Sequence, residues 1–270
     1  MSSWLFSLKI FVPLPRKLYW RSLKAIRKFL VTTLGFNRYI RLVSRVYLLL
    51  VGAGLMQKKY PELFFLKKII RPGFTCLDIG ANLGYYSTFL SRLAGPKGKV
   101  LAVEPVPAFQ EIWRDNVKVS GVANLSMWPF ALGGANTRIR MGTPERDGLL
   151  HHGMTKIVAS APDTYAVTYE VEMKIPDELF INLNRLDFVK CDVEGYEYEV
   201  FRHMQETLRK FKPLIQTELN GTENRLQVKT LLTALGYQAY ILSPHQTLLP
   251  CDDVVLMNHT GDFYFKFVNP

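Results

Sequence analysis

From Thr75 onward, short apolar runs alternate with segments of helical periodicity, and this alternation leaves few architectures open. TCLDIG (75–80), KVLAVEP (99–105), NLSMWPFAL (124–132), LDFVKCDV (186–193) and PLIQTEL (213–219) read as strands. Residues 85–93, 108–119, 198–210 and 223–235 read as the helices between them, and 237–242 and 262–268 as two closing strands. A strand that is apolar throughout must be covered on both faces, and strands joined through helices run parallel. The expectation is an α/β fold with a doubly wound, mostly parallel sheet. Residues 133–175, rich in Gly, Thr and Pro, read as a long irregular insertion with short strands near 137–141 and 165–175. A stretch of that length inside a domain is expected to serve function.

In such a sheet, ligands bind beyond the carboxyl ends of the strands, so strand ends carry the candidate chemistry. The first strand ends in Asp78 and runs into Gly80-Ala81-Asn82-Leu83-Gly84, which opens a helix at Tyr85. Glycine at 80 permits a tight turn and close backbone approach. The second strand ends in Glu104-Pro105, where a carboxylate can accept the hydroxyls of a ribose. A dinucleotide loop reads G-x-G-x-x-G. Here Asn82 replaces the middle glycine, and Asp78 would repel a pyrophosphate. The same carboxylate suits a sulfonium carrying an amino group, which favours S-adenosylmethionine over a nicotinamide cofactor. A nicotinamide oxidoreductase stays open as a rival, as does a catalytically silent binding or adaptor protein on the same scaffold.

The second constellation is Lys190-Cys191-Asp192-Val193-Glu194-Gly195-Tyr196-Glu197. Asp192 and Glu194 follow the fourth strand and are expected beside the reactive end of the cofactor. Glu197 and Glu199 are explained by a helix N-terminus that favours acids. Glu218 ends the fifth strand and could face the same cleft. Asp192 and Glu218 are too few for an oxygen-ligated cation, so no metal is assigned. If such a cofactor's methyl group goes to a hydroxyl, a base is needed. The candidates are Asp192, Glu194 and, from the insertion, His152 or its neighbour His151.

Charge is unevenly spread. Residues 1–72 hold 15 Lys and Arg against one acid, Glu62, whereas the remainder holds 19 basic and 22 acidic residues. A basic segment on a near-neutral body points to an anionic partner surface. Residues 16–34 read as an amphipathic helix, with Tyr19, Leu23, Ile26 and Leu30 on one side and Lys17, Arg21, Lys24 and Lys28 on another. Two readings stand: peripheral contact with an anionic membrane, or a helix packed on its own domain with a solvated basic face. Residues 37–70 read as further helix, broken near Gly52 and Gly54 and restarting at Pro61. No apolar run reaches the ~20 residues of a membrane span. Cys76, Cys191 and Cys251 are too few and scattered for a disulfide framework or zinc site. They suggest reduced thiols and a cytoplasmic location, with the membrane contact peripheral. The expected division is a basic helical extension over 1–70 and a catalytic domain over 71–270. Nucleic acid is not expected, since the body lacks interleaved aromatic and basic residues.

The ordered set LDIGANLGYYS (77–87), VLAVEP (100–105), PFALGG (129–134), PDEL (176–179), FVKCDVEGYEYEVFR (188–202) and PLIQTEL (213–219) resembles the FkbM family of class I S-adenosylmethionine-dependent methyltransferases. The resemblance implies a Rossmann-like sheet of seven strands and O-methylation of a sugar, lipid or secondary metabolite. It implies that Asp78, Gly80, Asn82 and Gly84 line the methionine side of the cofactor and that Glu104 holds the ribose, with Ala81, Tyr85 and Pro105 also expected among the cofactor-binding residues. Of Tyr85 and Tyr86, one is expected in the cleft and the other in the core, in either assignment. Ala131 would lie near adenine, and Asp192 and Glu194 near the transferred methyl. Cys191 replaces an aliphatic residue, Pro176 replaces a leucine, and the insertion at 143–165 matches no family pattern, so the acceptor is not specified.

Overall fold

The apolar runs pair side by side as the alternation requires. The computed structural model describes residues 26–146, 149–158 and 165–268. Helix α1 covers residues 26–34, α2 Phe36–Gly52 and α3 Pro61–Ile69. Strand β1 (Thr75–Ile79), helix α4 (Tyr85–Ala94), β2 (Lys99–Val103), α5 (Pro107–Ser120) and β3 (Leu125–Trp128) follow. The middle of the chain holds β4 (Ala131–Leu132), β5 (Thr137–Thr143), β6 (Glu145–Arg146), β7 (Leu149–Leu150), β8 (Lys156–Ile157) and β9 (Val167–Lys174). Then come α6 (Pro176–Phe180), β10 (Phe188–Cys191), α7 (Glu197–Arg202), α8 (Gln205–Phe211), β11 (Leu214–Thr217), α9 (Thr222–Ala234), β12 (Tyr237–Leu242), β13 (Leu248–Pro250), α10 (Asp253–Asn258) and β14 (Phe263–Phe267).

The main sheet has the order β13-β12-β14-β11-β10-β1-β2-β3. Strands β3, β2, β1, β10 and β11 are parallel, and β14 enters antiparallel between β11 and β12. The seven expected strands are joined by a three-residue edge strand, β13. The chain leaves β1 toward β2 and β3, then returns to the other side of β1 as β10. That reversal opens a crevice at the carboxyl ends of β1 and β10. Leu77, Ile79, Leu101, Val189, Cys191 and Ile215 are buried on one core, whereas Cys76, Val100 and Phe188 are buried on the other. The sheet is therefore covered on both faces.

Two expectations change. NLSMWPFAL is not one strand: β3 stops at Trp128, and Ala131–Leu132 joins a different sheet. Pro129 has no N–H to continue the ladder. The short strands expected near 137–141 and 165–175 are present as β5 and β9, but the described residues of 133–175 are more regular than expected. Strands β4, β9, β5 and β8 form a second sheet, and β6 and β7 pair as a small hairpin. Alternation in TRIRMGT and VTYEVEMK fits one covered and one solvated face, and Val171 and Met173 are the buried members of the second.

Helix α2 buries Tyr39, Ile40, Tyr47, Leu48 and Val51 and packs along α5. Arg41 pairs with Glu111 at 3.0 Å and Asp115 at 3.3 Å. Ser44 Oγ donates to Asn116 Oδ1 at 3.2 Å, and Asn116 Nδ2 donates to the Leu83 carbonyl at 2.8 Å. The N-terminal helices are thereby tied to the loop after β1. Of the amphipathic helix expected over 16–34, Tyr19, Leu23, Lys17, Arg21 and Lys24 lie outside the described residues. Within residues 26–34, Ile26 and Phe29 are exposed. No helix among the described residues is long and apolar enough to cross a membrane.

Candidate active site

The crevice at the ends of β1, β2 and β10 is a cleft, and most of the candidate residues line it. Asp78, Gly80, Ala81, Asn82, Tyr85, Glu104, Pro105, His152, Asp192 and Glu194 all face it, with Tyr86, Val106, Phe109, Met141, Gly153, Thr155, Lys190 and Val193.

The loop after β1 is shaped by close approach. Both the Gly80 and Ala81 amides donate to the Val103 carbonyl at 3.0 Å, folding the loop over the end of β2. Gly80 has φ 79°, and a Cβ there would lie 1.9 Å from the Asp192 carbonyl oxygen, so no other residue fits. Asn82 takes φ 47°, a conformation that asparagine tolerates better than most. Gly84 does not face the cleft. Its φ is 87°, and Trp113 lies over it, 2.8 Å from where a Cβ would be. Its contribution is to let α4 start against α5.

Glu104 is buried, and its carboxylate is held by two main-chain amides. Asn82 N–H donates to Oε2 and Val106 N–H to Oε1, both at 2.8 Å. Burial still pushes its pKa up to about 7, against the lowering by those amides. Asp78 accepts a short hydrogen bond from Ser87 Oγ, which in turn accepts from Trp113 Nε1 at 2.9 Å. Burial raises Asp78 to about 6. Two carboxylates kept from water, with spare lone pairs toward a cleft, are a donor set suited to a cation and to hydroxyl groups.

The β10 end holds a network that sequence reading did not anticipate. Lys190 is almost fully buried. Its Nζ donates to Asp262 Oδ2 at 3.0 Å and lies 3.8 Å from Asp192 Oδ2. Gln216 Nε2 donates to the same Asp262 oxygen at 2.6 Å and to the Tyr86 hydroxyl at 3.2 Å. The Lys190 ammonium also sits 5.1 Å from the centre of the Tyr86 ring. Burial opposes the charge, but Asp262, Asp192 and Glu218 together hold Lys190 firmly protonated. Lys190 is placed inward by strand alternation, and only the closing strand brings Asp262 to it, so no local signal could have paired them.

Asp192 is raised to about 6, chiefly by burial, with Lys190 working in the opposite direction. Glu194, at φ 55°, is raised to about 8 by burial and by the neighbouring charges of Asp192 and Glu218. Glu218 is raised to about 7, again first by burial and then by Asp192. Glu197 takes a different part. It is buried, and its Oε1 accepts from the Val193 and Gly195 amides at 2.9 and 3.1 Å. It fixes the turn that presents Asp192 and Glu194. Among the described residues, no three metal-ligating side chains converge.

His152 is buried in the short helical turn His152–Met154, edge-on to Phe109 with ring centres 6.0 Å apart. Burial first, then the nearby Arg27, lowers its pKa to about 4, so the ring is neutral at neutral pH. His151 does not line the cleft. Ala131 lies in β4 against Val171 and Met173 and is not among the lining residues. Phe109, Pro105 and Val106 form the apolar wall beside Glu104 instead. Both Tyr85 and Tyr86 face the cleft, and Tyr85 packs on Tyr47 of α2 with ring centres 4.2 Å apart.

A family model described as the methyltransferase FkbM domain matches residues 78–239, more than half of the chain. Methyltransferase 1 of Beauveria bassiana is 24% identical over 184 residues, covering 62% of this chain and 74% of that protein. A protein-L-isoaspartate O-methyltransferase of Methanococcoides burtonii is 36% identical over 58 residues, which is 22% of this chain and 29% of that protein. The chain thus spans about three quarters of the first relative and under a third of the second. Among solved structures, the methyltransferase FkbM of Methylobacillus flagellatus aligns with a TM-score of 0.47 at 14% identity, over 73% of this chain and 48% of that one. The family match begins at Asp78, takes in both halves of the cleft and ends within β12, and on that match this chain belongs to the FkbM family of methyltransferases, with S-adenosylmethionine as its cofactor.

Proposed function

We propose that this chain methylates a hydroxyl group on a sugar, lipid or secondary metabolite, with residues 71–270 as the catalytic domain and residues 1–70 as an attached helical layer. The observation that carries this reading is the convergence of four carboxylates on one cleft, Asp78 and Glu104 from the ends of β1 and β2, Asp192 and Glu194 from the turn after β10. In this reading Glu104 would accept the ribose hydroxyls, with its own position fixed by the Asn82 and Val106 amides. Asp78 and the Gly80–Asn82 backbone would line the methionine end. Pro105, Val106 and Phe109 offer the apolar surface a purine needs. Bound there, S-adenosylmethionine supplies an electrophilic methyl group on a sulfonium.

The chain's own part is to orient the acceptor, exclude water and take one proton. Asp192 suits the last task. A pKa of about 6 leaves it ionised at neutral pH yet a better proton acceptor than an exposed aspartate. Lys190, itself held by Asp262, keeps that carboxylate charged. Glu194, at about 8, is mostly protonated at pH 7 and is the weaker candidate until a cation enters the cleft. Neutral His152 can donate or accept a hydrogen bond to the acceptor, but its lowered pKa makes it a poor base. The test is S-adenosylhomocysteine release from purified protein offered S-adenosylmethionine with panels of hydroxylated sugars, lipids and small metabolites. Release that needs an acceptor hydroxyl supports the reading. Release only with amine or carboxylate acceptors contradicts it.

A further inference from the structure

Helix α2 has two apolar faces, and only one of them is used. Tyr39, Ile40, Tyr47, Leu48 and Val51 are buried against the domain. On the opposite side, at spacings of four and three residues, Leu42, Val46 and Leu49 point away from it and are 47%, 37% and 70% exposed. Leu55 follows at 72%, and Ile26 and Phe29 of α1 are exposed as well. Among the described residues, seven of the twelve large apolar side chains left exposed fall between residues 26 and 55. They are clustered rather than scattered, which is the pattern that marks an interaction surface.

The same outward face carries Arg38 and Arg45, within one helical turn of Leu42 and Leu49, and Lys58 lies just beyond α2. Arg41, set to the side, is spent on Glu111 and Asp115, whereas Arg38 and Arg45 make no ion pair among the described residues. No acid occurs before Glu62. Apolar side chains interleaved with long cationic ones suit a partner that is apolar inside and anionic at its surface.

We propose that the outward face of α2, with α1 beside it, docks on an anionic lipid bilayer. A second copy of the chain fits less well. A two-fold contact through this face would set Arg38 and Arg45 of both copies against each other, with no acid in α1 or α2 to offset them. The bilayer supplies both missing complements, acyl surface for Leu42, Val46, Leu49 and Leu55 and anionic headgroups for Arg38 and Arg45. The contact is assigned to α2 rather than confined to residues 16–34, and it is independent of the acceptor's identity.

The test uses the full chain and vesicles of phosphatidylcholine, alone or with about one third phosphatidylserine. Wild type should partition onto the phosphatidylserine vesicles and more weakly onto neutral ones. Leu42→Asp with Leu49→Asp should lower that partition on the order of tenfold or more. Arg38→Glu with Arg45→Glu should lower it on phosphatidylserine vesicles alone, again on the order of tenfold. All four positions are exposed, so melting temperature should hold and serves as the folding control. Absence of wild-type binding would overturn the proposal, and so would unchanged partition of the Leu42/Leu49 variant. Light scattering that shows a wild-type dimer made monomeric by that variant would overturn it in favour of self-association.

Discussion

The Asn82 main-chain N–H donates to Glu104 Oε2 at 2.8 Å, so the loop after β1 and the end of β2 are locked together through a buried carboxylate. Val106 N–H holds the other oxygen at the same distance. Glutamine at 104 has one acceptor oxygen in place of two, and its amide would face an N–H. Glu104→Gln should therefore lose about 1–3 kcal/mol of stability, the cost of an orphaned buried donor, read by chemical denaturation. Loss below about 0.5 kcal/mol would show that the two amides are satisfied in another way.

Gly80 packs on the Asp192 carbonyl with no room for a methyl group. Gly80→Ala adds a clash with backbone to a positive φ, which itself costs ~1–2 kcal/mol. A total loss of about 3 kcal/mol or more is expected, or failure to fold. Gly121, in the left-handed region at φ 65° with open space where a Cβ would stand, is the control: Gly121→Ala should cost only ~1–2 kcal/mol.

Lys190 is the cation beside Asp262 and Asp192. Removing it strands buried carboxylates. Lys190→Met should destabilise by about 3–5 kcal/mol near neutral pH, and the deficit should shrink in acid as Asp192, raised to about 6, takes up its proton. Equal loss at pH 5 and pH 8 would mean that packing rather than charge is what Lys190 supplies.

Four cleft carboxylates, Asp78, Glu104, Asp192 and Glu194, and Glu218, which interacts with Asp192 from outside the cleft lining, have pKa values raised to between about 6 and 8. The unfolded chain releases the same protons near pH ~4. Between those limits the folded state binds more protons, so stability should fall as pH rises from about 4 to 8. A cation in the cleft favours the ionised forms, so S-adenosylmethionine should bind more tightly at pH 8 than at pH 6 and release protons on binding. Calorimetry in buffers of different ionisation enthalpy reads both. Proton uptake, or affinity that falls with pH, would reverse the sign.

Asp192→Asn separates binding from turnover. It should leave S-adenosylmethionine affinity within a few-fold of wild type and cut methyl transfer by roughly 10²–10⁴. The acid limb of the rate profile, expected near the Asp192 value of about 6, should vanish with it. A variant that loses binding alone would take Asp192 out of the base role.

The parallel half of the fold was legible because Leu77, Leu101, Val189 and Ile215 sit in short apolar runs that end in polar residues at the cleft. Asp78, Glu104 and Asp192 were legible for the same reason: strand ends of such a sheet converge by topology. Ala131 stands in β4, outside the cleft lining, and was read into the third strand because one apolar run hides the break at Pro129. The second sheet was obscured because its pairing of β5 with β9 spans a segment rich in turn formers. Lys190, Asp262 and Gln216 were not foreseen, since their contact joins strands more than 40 residues apart, and a lone lysine in a strand reads as solvated. Phe109 likewise reads as helix core until α5 is seen to start at the cleft edge.

The most direct test of the central claim is calorimetric titration of the wild type and Glu104→Ala with S-adenosylmethionine. The wild type should bind one equivalent with an affinity on the order of 1–100 μM. Glu104→Ala should bind at least about tenfold more weakly, having lost the carboxylate and the two amide contacts that set the loop. Wild type that does not bind S-adenosylmethionine, or a Glu104→Ala variant that binds it as well as wild type does, would contradict the placement of the cofactor in this cleft.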